Sequence, residues 1–234
     1  YTGEMIRYGP MFITGALAFP FVIFVVGSFM IPYFMKLRVT SAYEILEQRL
    51  GLSIRLLGSF LFILIRFFWM AVIIHATTDK VLIPVLGLGG NWTAPICILM
   101  GLVTIIYTSL GGLRAVVFTD VVQSGILFGG GILTVVLVAN ELGGVRELWP
   151  EGWLAHWGKP NWGYDPEARM TLVSVFLAVF CWHTCTAGSD QIVIQRYFAT
   201  RDAKAARKVL VINLIADFLA MLLMALVGLA LIAY

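Results

Sequence analysis

Charge is scarce in this sequence. Only 12% of its residues are Asp, Glu, Lys or Arg, while 60% are hydrophobic and the mean hydropathy is +0.93, a balance that excludes an ordinary water-soluble domain of 234 residues. Cysteine is sparse too. Cys97, Cys181 and Cys185 fall within apolar runs and suit neither a disulfide framework nor the spacing of a zinc site. No His-Glu-x-x-His or other paired catalytic motif occurs, which argues against an intramembrane enzyme, and no repeated filter element supports a channel. Tandem repeats and low-complexity tracts are absent. The net charge of +3 is small and sorted by side, a topology signal and not a nucleic-acid footprint. A signal peptide is also missing, and the chain opens on Tyr1-Thr-Gly-Glu without an initiating methionine, so the expectation is a fragment of a longer protein.

What the sequence does hold is six stretches long enough to cross a bilayer, which takes about 20 apolar residues each. The first, 10–35, carries no charge but contains Pro20 and Pro32, which cannot donate to the helical ladder and predict a kink or an end. The second, 56–78, is interrupted only by Arg66; the third is 92–110; the fourth, 115–140, carries Asp120 and the flexible Gly129-Gly-Gly. A fifth begins near Met170 and reads as broken around Thr184 to Asp190, and the sixth, 209–234, carries Asp217. The fold class is therefore an all-α integral membrane protein, with residues 1–234 forming a single transmembrane domain fragment.

Basic residues alternate between the connecting loops in a way that predicts orientation, because cytoplasmic loops retain Lys and Arg during insertion. Lys36, Arg38, Arg49 and Arg55 lie in the first loop, Arg114 in the third, and Arg196, Arg201, Lys204, Arg207 and Lys208 in the fifth, against Arg7, Lys80, Arg146, Lys159 and Arg169 on the other side. Both ends of the chain are thus expected outside. The long loop 141–169 is then extracellular, and its Trp149, Trp153, Trp157 and Trp162 read as anchors at the membrane interface in preference to a solute site. Asn91-Trp-Thr on the same side is a glycosylation sequon, meaningful only in a eukaryotic secretory pathway. In the first inner loop, residues 40–49 form a short amphipathic helix with Ser41 as cap and Glu44 at the third helical position.

Between the third and fourth spans, Tyr107-Thr-Ser-Leu-Gly-Gly-Leu-Arg-Ala-Val-Val-Phe-Thr-Asp-Val-Val-Gln ends one helix and starts another. Gly111 and Gly112 can take the positive angles that close a helix, and Asp120 with Gln123 one turn later shares a face that is costly to show to lipid. Of the four charges at membrane depth, Arg66 cannot neutralise Asp120, Asp190 and Asp217 together, so at least one carboxylate is wet, protonated or facing a transient cation. The small and hydroxyl residues of Trp182-His-Thr-Cys-Thr-Ala-Gly-Ser-Asp-Gln suit either a discontinuous helix that exposes backbone to a solute or close helix packing, and both readings stand at this point. His183 has no second ligand at i+4 with which to build a metal site.

Four stretches in order and register resemble the sodium/solute symporters, whose members carry sugars, monocarboxylates, proline, iodide, vitamins or sialic acids. They are Thr40-Ser-Ala-Tyr-Glu-Ile-Leu-Glu-Gln-Arg-Leu-Gly, Tyr107-Thr-Ser-Leu-Gly-Gly-Leu-Arg-Ala-Val, Phe118-Thr-Asp-Val-Val-Gln and Ser189-Asp-Gln-Ile-Val-Ile-Gln-Arg-Tyr-Phe-Ala. The resemblance implies a partial five-plus-five inverted-repeat, LeuT-type bundle, with the six spans as core helices two to seven. It implies His183, Thr186 and Asp217 as substrate-lining residues, and Asp120, Gln123 and Asp190 as residues of the cation pathway and its coupling. The main sodium ligands, on core helices one and eight, then lie outside this chain. An aromatic gate near Thr186 and a lysine near Asp217, found in sugar carriers, are both missing, which disfavours a sugar; Asp217 can meet a cationic or hydroxyl group on the solute or pair with Arg66.

The function expected is sodium-coupled symport of a small polar solute by alternating access at the plasma membrane. Sodium is the coupling ion, no organic cofactor is expected, and the partners are solute, sodium and lipid rather than nucleic acid. The alternative is a solute-sensing, transporter-like module of a signalling protein.

Overall fold

The structure is a computed structural model that describes residues 1–37 and 41–234, without the side chains of residues 42 and 113–115. The predicted roles of Arg38, Thr40 and the Arg114 side chain fall outside the described residues. Every regular element among those described is helical, and six helical runs are long and apolar enough to cross a membrane: Pro10–Lys36, Leu52–Leu86, Gly90–Gly112, Val116–Leu142, Leu172–Ser189 and Ala203–Ala233.

After the short α1 (Thr2–Tyr8), the first span changes pitch instead of breaking. A 3-10 segment, Pro10–Ala18, leads into α2 (Phe19–Val25), a π segment, Val26–Met30, and α3 (Ile31–Lys36). Pro20 and Pro32 each sit in the first turn of their α segment, where the missing N–H costs least. The wide π turn before Pro32 also gives its ring room against the carbonyl four residues back. The same device recurs in the second span. There α5 (Leu52–Thr77), following α4 (Ala42–Leu50), passes through a π turn, Thr78–Leu82, into α6 (Ile83–Leu86) with Pro84 in its first turn, and Gly87 closes the run at φ 65. Ser41 caps α4 as expected, its hydroxyl accepting from the Glu44 N–H at 3.3 Å.

The third and fourth spans are two helices joined at a kink within Thr93–Leu142 (together α7), and the kink lies at Gly112, whose φ of 58 and ψ of −158 only glycine adopts readily. The fifth span is α8 (Leu172–Ser189), opened by a reciprocal capping box between Thr171 and Ser174, followed by α9 (Gln191–Phe198) and α10 (Ala203–Ala233). Its interruption is narrower than the sequence suggests. Residues 184–189 are helical, and the chain leaves helical geometry at Asp190, with ψ 122.

The chain divides into two compact units. One is Leu46–Gly125 and the other joins Tyr1–Ile45 to Ile126–Tyr234. Within the smaller unit, α5 has no buried residue, as suits a helix whose apolar surface is left for lipid or further protein. Arg55 and Glu47 pair beside Gly51.

The larger unit holds the core. Phe19, Val22, Val26 and Ile31 of the first span pack with Ala187, Tyr197, Ala206, Leu210 and Leu214. Association in lipid gains little from hydrophobic transfer and depends on close packing, for which small residues are suited. Two approaches illustrate it. A methyl group at Gly15 would lie 2.6 Å from Val179 Cγ2, and one at Gly228 would lie 2.7 Å from Met5 Cβ. In the 141–169 loop, Trp157 departs from the interfacial role read for it: it is 6% exposed, packs with Met5 and Phe12, and donates its indole N–H to Ile6 O at 3.2 Å. Trp149 and Trp162 stay exposed.

Candidate functional site

The core of the larger unit brings α8, α10 and the first span around His183. Its Nε2 lies 3.4 Å from Asp217 Oδ2, and its ring meets Phe19 edge to face at 5.1 Å. A tight charge-assisted bond is about 2.7–2.9 Å long, so this is a longer polar contact, and an ion pair only when His183 carries its second proton. Both side chains keep some exposure, 20% and 29%, and neither is sealed into the core. Asp217 thus has a partner on α8, the pairing that the sequence left open with Arg66.

His183 lines two cavities. One, about 370 Å³, extends toward the 141–169 loop between Tyr1, Phe12, Phe19, Arg169, Ser174 and Met221. The other, about 80 Å³, lies toward the α9–α10 turn and is lined by Thr186, Arg196, Tyr197, Asn213 and Leu214 as well as His183. The first is large enough for a small solute. Several waters would fill the second.

The polar groups around these spaces have identifiable commitments. Thr186 donates its hydroxyl to Trp182 O at 2.8 Å, leaving its oxygen lone pairs for a further contact. Tyr197 is 1% exposed and its hydroxyl has no hydrogen-bond partner among the described residues; burial pushes its pKa up to about 12. Tyr1 stacks on Phe12, and burial first, then the Asp217 charge, push its phenol above the ordinary value. At the rim, Arg169 bonds Glu4 at 2.7 Å and covers the Tyr8 ring, and the bond to Glu4 raises its pKa.

At the end of α8, Asp190 accepts from Ile192 N–H at 2.9 Å and so caps α9. Two residues earlier, Gly188 receives Met30 from the π turn: a methyl group there would lie 1.9 Å from Met30 Cε and 2.9 Å from Sδ. The other flank of that π turn is held by Arg207, whose Nε would be 3.2 Å from a methyl group at Gly27. The widened turn is therefore keyed to both sides of the α8–α10 connection. Close packing is the local role of Gly188, one of the two roles read for this stretch.

Of the sequence-derived residues, His183 meets Asp217 and shares the small cavity with Thr186, while Asp217 lines neither cavity. Asp120 and Gln123 belong to the smaller unit, where both are exposed one helical turn apart. Tyr197, Arg196 and Asn213 line the small cavity and were not singled out from sequence. Tyr197 and Arg196 lay inside the quoted Ser189–Ala199 motif, which was the available signal. Among the described residues, no three His, Cys, Asp or Glu side chains cluster to hold a metal.

The sequence model of the sodium:solute symporter family matches residues 1–234. Sodium-coupled monocarboxylate transporter 1 of Xenopus laevis is 32% identical over 221 residues, covering 91% of this chain and 34% of that protein. The sodium/sialic acid symporter SiaT of Proteus mirabilis (strain HI4320) is 33% identical over 190 residues, or 79% of this chain and 37% of that protein. A solved substrate-bound, outward-open Na+-coupled sialic acid symporter, described as revealing a novel Na+ site, superposes with a TM-score of 0.79 at 26% identity. It covers 100% of this chain and 49% of that one. The chain spans about a third of the length of the curated relatives it matches.

Proposed function

Because the chain belongs to the sodium:solute symporter family, we propose that it forms part of a sodium-coupled symporter that moves a small polar solute across the plasma membrane by alternating access. The family match over residues 1–234 carries this reading. The relatives named above are transporters and not enzymes, so the work required is differential binding and not covalent chemistry. Sodium that binds one state more tightly than the other shifts the populations, and its release on the low-sodium side returns them.

The solute proposed is a small organic acid, supported by the monocarboxylate and sialic acid named for two relatives. It would sit beside His183, Thr186 and Asp217, reached from the larger cavity and left through the smaller one. Asp120, Gln123 and Asp190 serve the route and coupling of sodium, whose main ligands lie outside this chain. Residues 1–234 act as one transmembrane domain, with both ends and the 141–169 loop outside and the basic loops in the cytoplasm.

The test is uptake by the full-length protein in proteoliposomes from a pool of small acids, sugars and amino acids, with and without an inward sodium gradient. Gradient-dependent accumulation of an acid supports the reading. Accumulation of a sugar alone overturns the solute, and accumulation that ignores sodium overturns the coupling.

A further inference from the structure

The α9–α10 turn gathers five cations within 13 residues, Arg196, Arg201, Lys204, Arg207 and Lys208, all exposed, with Asp202 as the one acid among them. Asp202 is already committed, since its carboxylate accepts from Ala205 N–H at 2.8 Å to cap α10. None of the five forms an ion pair among the described residues. Three of them, Lys204, Arg207 and Lys208, lie in the first two turns of α10, where the helix dipole is positive and where negative groups are stabilising. This end of the span is therefore strongly positive, and an anion from outside the chain would be stabilised there.

The geometry says which anion. Lys204, Lys208, Ile212, Ile215 and Leu219 succeed one another at steps of four, four, three and four residues, which places them on one stripe of the helix. Ile212, Ile215 and Leu219 are 55%, 54% and 51% exposed. Apolar residues run from Val209 to the end of α10 with only Asn213 and Asp217 between them, so the two lysines stand where the helix leaves the hydrocarbon. We propose that Lys204 and Lys208 hold the phosphate of an anionic phospholipid whose acyl chain lies along Ile212, Ile215 and Leu219. A free phosphate would use the lysines and leave the apolar strip without a role; a lipid uses both. Retention of the loop during insertion needs cations somewhere in it, but does not need them at i and i+4 in register with an exposed apolar strip.

Native mass spectrometry of the delipidated full-length protein tests this, with phosphatidylglycerol, phosphatidylcholine, and glycerophosphoglycerol plus inorganic phosphate as separate additions. One phosphatidylglycerol should be retained with about tenfold or greater preference over phosphatidylcholine, given roughly fivefold per lysine near the headgroups. Lys204→Gln with Lys208→Gln should bring the two lipids to parity, while Lys204→Arg with Lys208→Arg preserves the preference and reports on folding. Ile212→Ser with Ile215→Ser should weaken the lipid although both lysines remain. Retained preference in the glutamine pair, or full displacement of the lipid by the soluble phosphates, overturns the proposal.

Discussion

His183 on α8 and Asp217 on α10 face each other at 3.4 Å, 34 residues apart in sequence, and the histidine lines two cavities. If the pair works as a unit in transport, its two halves are not independent. In uptake assays, His183→Gln and Asp217→Asn should each lower the rate severalfold, and the double variant should be no worse than the poorer single one, a coupling of about 1 kcal/mol. Additive losses would show that each residue acts alone.

Gly188 is where Met30 enters the α8 end. Gly188→Ala should destabilise the full-length protein by no more than about 1 kcal/mol, because the atoms its methyl meets are the free end of the flexible Met30 side chain, which can swing aside, and alanine suits a helix better than glycine. Pairing it with Met30→Ala should restore part of the loss, read as the midpoint of thermal unfolding in detergent. Gly188→Leu, which no movement of Met30 accommodates readily, should in addition impair transport.

Asp120 tests the sodium route. Asp120→Asn should lower sodium-driven uptake at near-normal expression and raise the sodium concentration needed for half-maximal rate. Identical uptake curves across several sodium concentrations would remove Asp120 from coupling.

Tyr197 gives a pH signature. Its phenol titrates at about 12 in the folded protein against 10.0 when unfolded, so between those values the unfolded chain has lost a proton that the folded one keeps. Stability should therefore fall as pH rises from 10 to 12, by at most about 1.4 kcal/mol per unit. Tyr197→Phe should flatten unfolding measurements in that window. Because it removes a buried hydroxyl that has no partner among the described residues, it should cost little at pH 7.

Much of the architecture was legible before any coordinates. Six apolar runs became six helical spans because crossing a bilayer demands length and self-satisfied backbone, and both are written in local composition. The Ser41 cap and the Gly112 interruption were legible for the same local reason, a hydroxyl before a helix and a glycine pair between two. Choosing Gly112 over Gly111, or Asp190 over the six residues before it, was not, since those choices depend on what packs nearby. Composition also suggested interfacial anchoring for all four loop tryptophans. Trp157 went inside because Met5, Phe12 and the Ile6 carbonyl lie within its reach.

Sequence alone, then, determined that this is a helical membrane chain of the symporter type, with its spans, its charge asymmetry and its candidate residues His183, Thr186 and Asp217. The tertiary structure decided which of these meet. Only folding could show that Asp217 meets His183, that Tyr197 lines a cavity and that Met30 fills the space at Gly188. Local sequence signals extend over a few turns, whereas these contacts join residues 34 or more positions apart or depend on which side of a helix faces a neighbour.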